Sequence, residues 1–80
     1  MPNLRRMSGR AVLAVFESFG FEVQSRKGSH VKLRRIGPHG ERQTLTIPDH
    51  SELDTGTLRA IVRQATRYIS TDDLKPHFYR

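Results

Sequence analysis

His30-Val31-Lys32-Leu33-Arg34, entered through Lys27-Gly28-Ser29, alternates polar and apolar residues without a break. In an extended chain successive side chains leave opposite faces, so His30, Lys32 and Arg34 share one face and Val31 and Leu33 the other. The apolar face must be covered. The polar face presents an imidazole beside two fixed cations, and histidine is the side chain whose unperturbed titration falls near neutrality. That combination can hold a phosphodiester and move a proton, which makes RNA the natural ligand to consider.

Working outward, Lys27-Gly28-Ser29 reads as a tight turn in which Gly28 takes the positive φ of a hairpin. Upstream the alternation places Phe21 and Val23 inward, with Glu22, Gln24 and Arg26 outward. Downstream the strand ends near Arg35-Ile36, because Gly37-Pro38-His39-Gly40 has loop composition. A third strand follows over Gln43-Thr44-Leu45-Thr46-Ile47, with Leu45 and Ile47 inward. Pro48 closes it, since proline has no N–H for the ladder.

Two amphipathic helices flank these strands. Ser8 reads as the cap of the first, which carries Val12, Phe16 and Phe19 at i, i+4 and i+7 and stops at Gly20. Thr55 is the expected cap of the second, which runs from Gly56 to about Tyr68 or Ile69. Its stripe is Leu58, Ile61, Val62, Ala65 and Ile69. Beyond it a short turn through Asp72, Asp73 and Leu74 is expected to end at Pro76, with Pro76-His77-Phe78-Tyr79-Arg80 either docked or frayed. The expected architecture is α+β in the order α-β-β-β-α, a three-stranded antiparallel meander with both helices on one face. One domain is expected over residues 1–80, with 1–6 as an N-terminal extension and 70–80 as a C-terminal turn and tail.

The open face then collects Gln24, Arg26, His30, Lys32, Arg34, Thr44 and Thr46. Fourteen Lys and Arg against eight Asp and Glu give a net charge of +6, which favours a polyanionic partner. A second basic stripe, Arg59, Arg63 and Arg67, recurs every four residues along the second helix and is a candidate partner surface. The chain has no cysteine, so disulfides and thiolate metal sites are excluded. No apolar run approaches the ~20 residues needed to span a bilayer. The polar start Met1-Pro2-Asn3-Leu4-Arg5-Arg6 lacks the apolar core of a signal peptide. A cytoplasmic protein is expected, without membrane contact.

Met7-Ser8-Gly9 before a short helix, Gly20-Phe21, Arg26-Lys27-Gly28-Ser29-His30, Ile47-Pro48-Asp49-His50 and Gly56-Thr57-Leu58-Arg59-Ala60-Ile61-Val62-Arg63-Gln64-Ala65 together resemble the HicA toxins, also called YcfA-like proteins. The resemblance implies a double-stranded-RNA-binding-domain-like fold and an mRNA endonuclease activity. It also implies a catalytic histidine in the Gly-Ser-His motif, which by position is His30, and neutralisation by a HicB antitoxin. Where such toxins commonly continue Gln-Ala-Gly-Ile, this chain has Gln64-Ala65-Thr66-Arg67-Tyr68-Ile69. The glycine stop is missing, and the second helix is expected to run a turn longer.

On this basis His30 acts as general base or acid in cleavage by the RNA's own 2′-hydroxyl. Lys32, Arg34, Arg26, Lys27 and Ser29 are the candidate residues for RNA binding and for stabilising charge on the phosphorane. The opposite proton transfer is left to water, Ser29 or a loop histidine. His50 weighs more as loop packing than as a catalyst, and His39 and His77 belong to a loop and the tail. Their spacing forms no metal motif, the acids form no two-metal cluster, and no cofactor is expected. Arg59, Arg63 and Arg67 are candidate antitoxin contacts. Two alternatives stand beside this. A non-catalytic double-stranded-RNA-binding module would need a basic helix start, where Asp54-Thr55-Gly56-Thr57 has no lysine. A protein-interaction module would use the arginine stripe to grip an acidic partner.

Overall fold

Helix α1 (Gly9–Ser18) begins where Ser8 Oγ accepts the Ala11 N–H at 3.0 Å, as its sequence demands. It ends in a Schellman closure: Phe21 N–H donates to Phe16 O and Gly20 N–H to Glu17 O, with Gly20 at φ 94°. The same closure brings the Phe16 and Phe21 rings edge to face at 6.0 Å, so the turn that ends the helix also starts the core. The computed structural model describes residues 3–80, and the first two residues of the expected 1–6 extension lie outside them.

Strands β1 (Glu22–Lys27), β2 (His30–Ile36) and β3 (Arg42–Pro48) follow, then helices α2 (Thr55–Ala65) and α3 (Thr71–Phe78). The sheet is an antiparallel meander in the order β1-β2-β3. The fold is therefore α+β with the expected α-β-β-β-α order of a double-stranded-RNA-binding-like fold, extended by a third helix. Val31, Leu33, Leu45 and Ile47 line the covered face and are almost wholly buried. They share one core with Val12 and Phe16 of α1 and Leu58, Ile61 and Ala65 of α2.

Three boundaries differ from expectation. Asp54, not Thr55, caps α2: its carboxylate accepts the Thr57 N–H, and Thr57 side-chain and backbone bonds hold that carboxyl below the usual range. The helix also ends at Ala65 without a glycine. Thr66 Oγ1 donates to Arg63 O and Arg67 Nε to Gln64 O, so side chains satisfy carbonyls that a longer helix would have used. Finally, Pro76 does not end the C-terminal turn, because α3 runs through it to Phe78. An interior proline costs about 3 kcal/mol. Leu74 and Phe78 are both fully buried, and each such side chain contributes roughly 1.5–3 kcal/mol, enough to offset it. The tail thus docks: Phe78 lies 5.7 Å from the Phe16 ring, and Leu4 bridges Tyr79.

The two sheet edges are treated differently. On β3, Gln64 Oε1 accepts the Thr46 N–H at 3.0 Å and the Tyr68 hydroxyl accepts the Thr44 N–H at 3.4 Å. Strand β1 is exposed along its whole length; Val23, expected inward, is 52% exposed. Although Val23 lies opposite the buried Leu33, the flanking edge strand extends past the cover that buries its neighbour.

Ile61 tests the covered face. It is 3% exposed in the middle of the α2 stripe, so Ile61→Asp buries an unpaired charge and should cost about 3 kcal/mol or more. Loss of the cooperative thermal transition is expected, and a melt close to wild type would show that another face packs inward.

Candidate functional site

The Gly28-Ser29 hairpin turn places the site. Lys27 and His30 are directly paired across it, and only Gly28 of the two turn residues has positive φ (60°), the pattern of a II′ turn. Residues directly opposed in an antiparallel pair project to the same face. The open face is therefore built in rows: Lys27, His30 and Pro48, then Ser25, Lys32 and Thr46, then Glu22, Arg34 and Thr44. His30 and Lys32 are exposed, and Arg34 is half-buried.

A β-bulge between Val23 and Ser25 changes part of this assignment. One extra residue, Gln24, reverses the alternation downstream of it. Arg26 consequently opposes Val31 and leaves the open face expected for it, while Ser25 and Lys27 enter that face. Arg26 Nη1 instead meets Asp49 Oδ2 at 2.9 Å, with both side chains partly exposed. Such a pair adds little stability; its effect is to tie the turn-proximal end of β1 to the segment after β3.

That segment carries His50 to the site. Its Nε2 lies 3.2 Å from Ser29 Oγ, and the Asp49 N–H donates to Ser29 O at 2.7 Å. The segment is fixed from the opposite side by α1, where the Gly9 N–H donates to His50 O at 2.8 Å. A Cβ at Gly9 would collide with Pro48 O and lie 2.6 Å from Asp49 Cα and 2.9 Å from His50 N. Only glycine permits this approach. The weight given to loop packing for His50 missed its contact with Ser29. The resemblance carried by Ile47-Pro48-Asp49-His50 points to the residue, but its neighbour depends on the crossing of α1.

Other candidates lie elsewhere. His39 is exposed in the β2–β3 loop, and His77 packs edge to face on Phe19 at 5.2 Å. Arg59 and Arg63 are exposed on α2, whereas Arg67 lies past its end, with its guanidinium 5.1 Å from the Tyr68 ring centroid. Among the described residues no group of three or more His, Cys, Asp or Glu side chains is gathered as metal ligands. No described helix is long and apolar enough to cross a membrane.

Fold and site together define a small α+β protein with an open, basic, histidine-bearing sheet. A family model described as the HicA toxin of bacterial toxin–antitoxin systems matches residues 9–66, most of the chain. This protein belongs to the HicA toxin family, and that membership implies an antitoxin partner. Searches of curated proteins and of solved structures gave no match.

Gly9→Ala tests the clamp behind His50. Alanine would return at most about 1 kcal/mol of helix propensity, against roughly 1–3 kcal/mol for overpacking. A net lower melting temperature is expected, together with a shifted His50 ring resonance. An unchanged melt and resonance would show that the Pro48–His50 segment is free to move.

Proposed function

We propose that this chain, acting as a single domain in the cytoplasm, is a metal-independent endoribonuclease that cleaves mRNA and is neutralised by a HicB-like antitoxin. The observation that carries this is His30 at the head of β2, exposed on the open face, opposite Lys27 and in line with Lys32 and Arg34. The cations attract the phosphates and oppose the charge that grows on the phosphorane oxygens. His30 transfers one of the two protons that 2′-hydroxyl attack requires. Ser29 borders the same turn. Arg26, held by Asp49 at the margin, serves the shape of the site more than the phosphate.

His30→Ala should reduce cleavage of single-stranded RNA in EDTA by roughly 10²–10⁴-fold. Folding and most RNA affinity should be retained, because the side chain is exposed and the cations remain. Products of the wild type should end in a 2′,3′-cyclic phosphate, and a 2′-deoxy substrate should resist. Undiminished cutting by the variant removes His30 from the mechanism, and strict dependence on added Mg²⁺ removes the metal-independent route. Tight binding without cleavage by the wild type would favour a non-catalytic RNA-binding module.

The antitoxin is assigned to the exposed α2 arginines, with Arg67 at the margin of that surface because it already caps the helix end. Reversing Arg59 and Arg63 to Glu should weaken antitoxin binding and flatten its salt dependence while free-toxin cleavage persists. Unchanged affinity in a titration calorimeter would return these residues to an ordinary solvated face.

A further inference from the structure

Cleavage by 2′-hydroxyl attack needs two proton transfers, and the open face of the sheet offers one imidazole. A second imidazole stands against the same turn. His50 Nε2 is 3.2 Å from Ser29 Oγ, and Ser29 is the chain neighbour of His30, with Cα atoms about 3.8 Å apart across a trans peptide. The ring is exposed, yet its backbone is held on both sides, by the Gly9 N–H on its own carbonyl and through Asp49 N–H on Ser29 O. The neighbouring Asp49 carboxylate is engaged by Arg26. A solvent-facing histidine kept in place by a serine hydroxyl and two backbone bonds is poorly explained by packing, since it buries little.

We infer that His50 is the second proton-transfer group for RNA cleavage, with Ser29 as the positioning residue that holds its ring. This rests on the nuclease function proposed for the His30 face. In the reaction the 2′-oxygen bonds to phosphorus as the bond from phosphorus to the 5′-oxygen breaks. One imidazole takes the 2′-hydroxyl proton and the other gives a proton to the departing 5′-oxygen. The products are a 2′,3′-cyclic phosphate and a 5′-hydroxyl, and nothing else is consumed.

The test compares His50→Gln, His50→Ala, Ser29→Ala and His30→Ala with the wild type on single-stranded RNA in EDTA. Both His50 variants should lose at least about 100-fold in cleavage rate, with melting temperature and RNA affinity unchanged. Glutamine can still bond Ser29 but cannot exchange a proton, so a wild-type rate in His50→Gln would reduce His50 to a structural role and overturn the inference. Ser29→Ala should lower kcat with little effect on KM. A substrate with sulfur in place of the 5′-bridging oxygen has a leaving group that needs no proton, because a thiol ionises far more readily than an alcohol. It should restore one of His30→Ala and His50→Ala and not the other, which identifies the acid. Rescue of neither variant overturns the division of labour. Full activity in His30→Ala would sink the His30-centred mechanism on which the inference rests, and a wild type that binds RNA without cutting it would sink the nuclease function, whereas a dead His30→Ala beside active His50 variants sinks the inference alone.

Discussion

Everything at the functional end of the molecule depends on one close approach, that of the first turn of α1 to the chain leaving β3. Gly9 touches the Pro48–His50 backbone where a methyl group would not fit. Its N–H, one of the donors that every helix start leaves without an internal partner, is satisfied by the His50 carbonyl. Nearby, Leu53 N–H donates to Met7 O and Asp49 N–H to Ser29 O. Three segments distant in sequence are thus joined through backbone atoms, so the geometry beside the Gly-Ser turn does not hang on flexible side chains.

Arg35 has a comparable part at the opposite end of β2. Its guanidinium donates to Phe19 O, where α1 ends, to Tyr68 O, just past α2, and through Nε to Gln43 Oε1 at 2.7 Å, while lying 4.7 Å from the Phe21 ring centroid. A cation on the helix side of a sheet is costly unless its donors are met, and here carbonyl oxygens meet them. Helix C-termini carry partial negative charge, so a single arginine complements the ends of two helices at once. It draws both against the sheet while the three basic side chains beyond the turn stay available on the other face.

Much of this was legible in the sequence because it follows from periodicity and turn chemistry. The α1 and α2 stripes, the Gly20 stop, the Gly28 hairpin and the inward Val31, Leu33, Leu45 and Ile47 each obey a local rule. The bulge at Gln24 does not: an extra residue leaves no mark in a polar edge strand, so Arg26 leaves the open face that unbroken alternation gives it. The end of α2 carries no such mark, because Thr66 and Arg67 close it with side chains in place of a glycine. Proline at position 76 carries a local cost to the helix, whereas the burial of Phe78 decides the matter. Arg35 follows the alternation to the covered side, but nothing in the pattern names the carbonyls it finds there. Likewise Gly9 could be seen, and the chain it must admit could not.

The unequal edges of the sheet bear on how copies of this protein meet one another. An unpaired strand edge is a template on which further strands can add, and natural sheets blunt such edges with bulges and charge. On β3 the template is filled by Gln64 and Tyr68. On β1 it is broken at Gln24 and studded with Arg26 and Lys27, in a chain of net charge +6. Two such strands brought side by side would meet out of step and repel. The distortion that rearranges the cations of the open face therefore also blunts this edge as a template for the strand of a second copy.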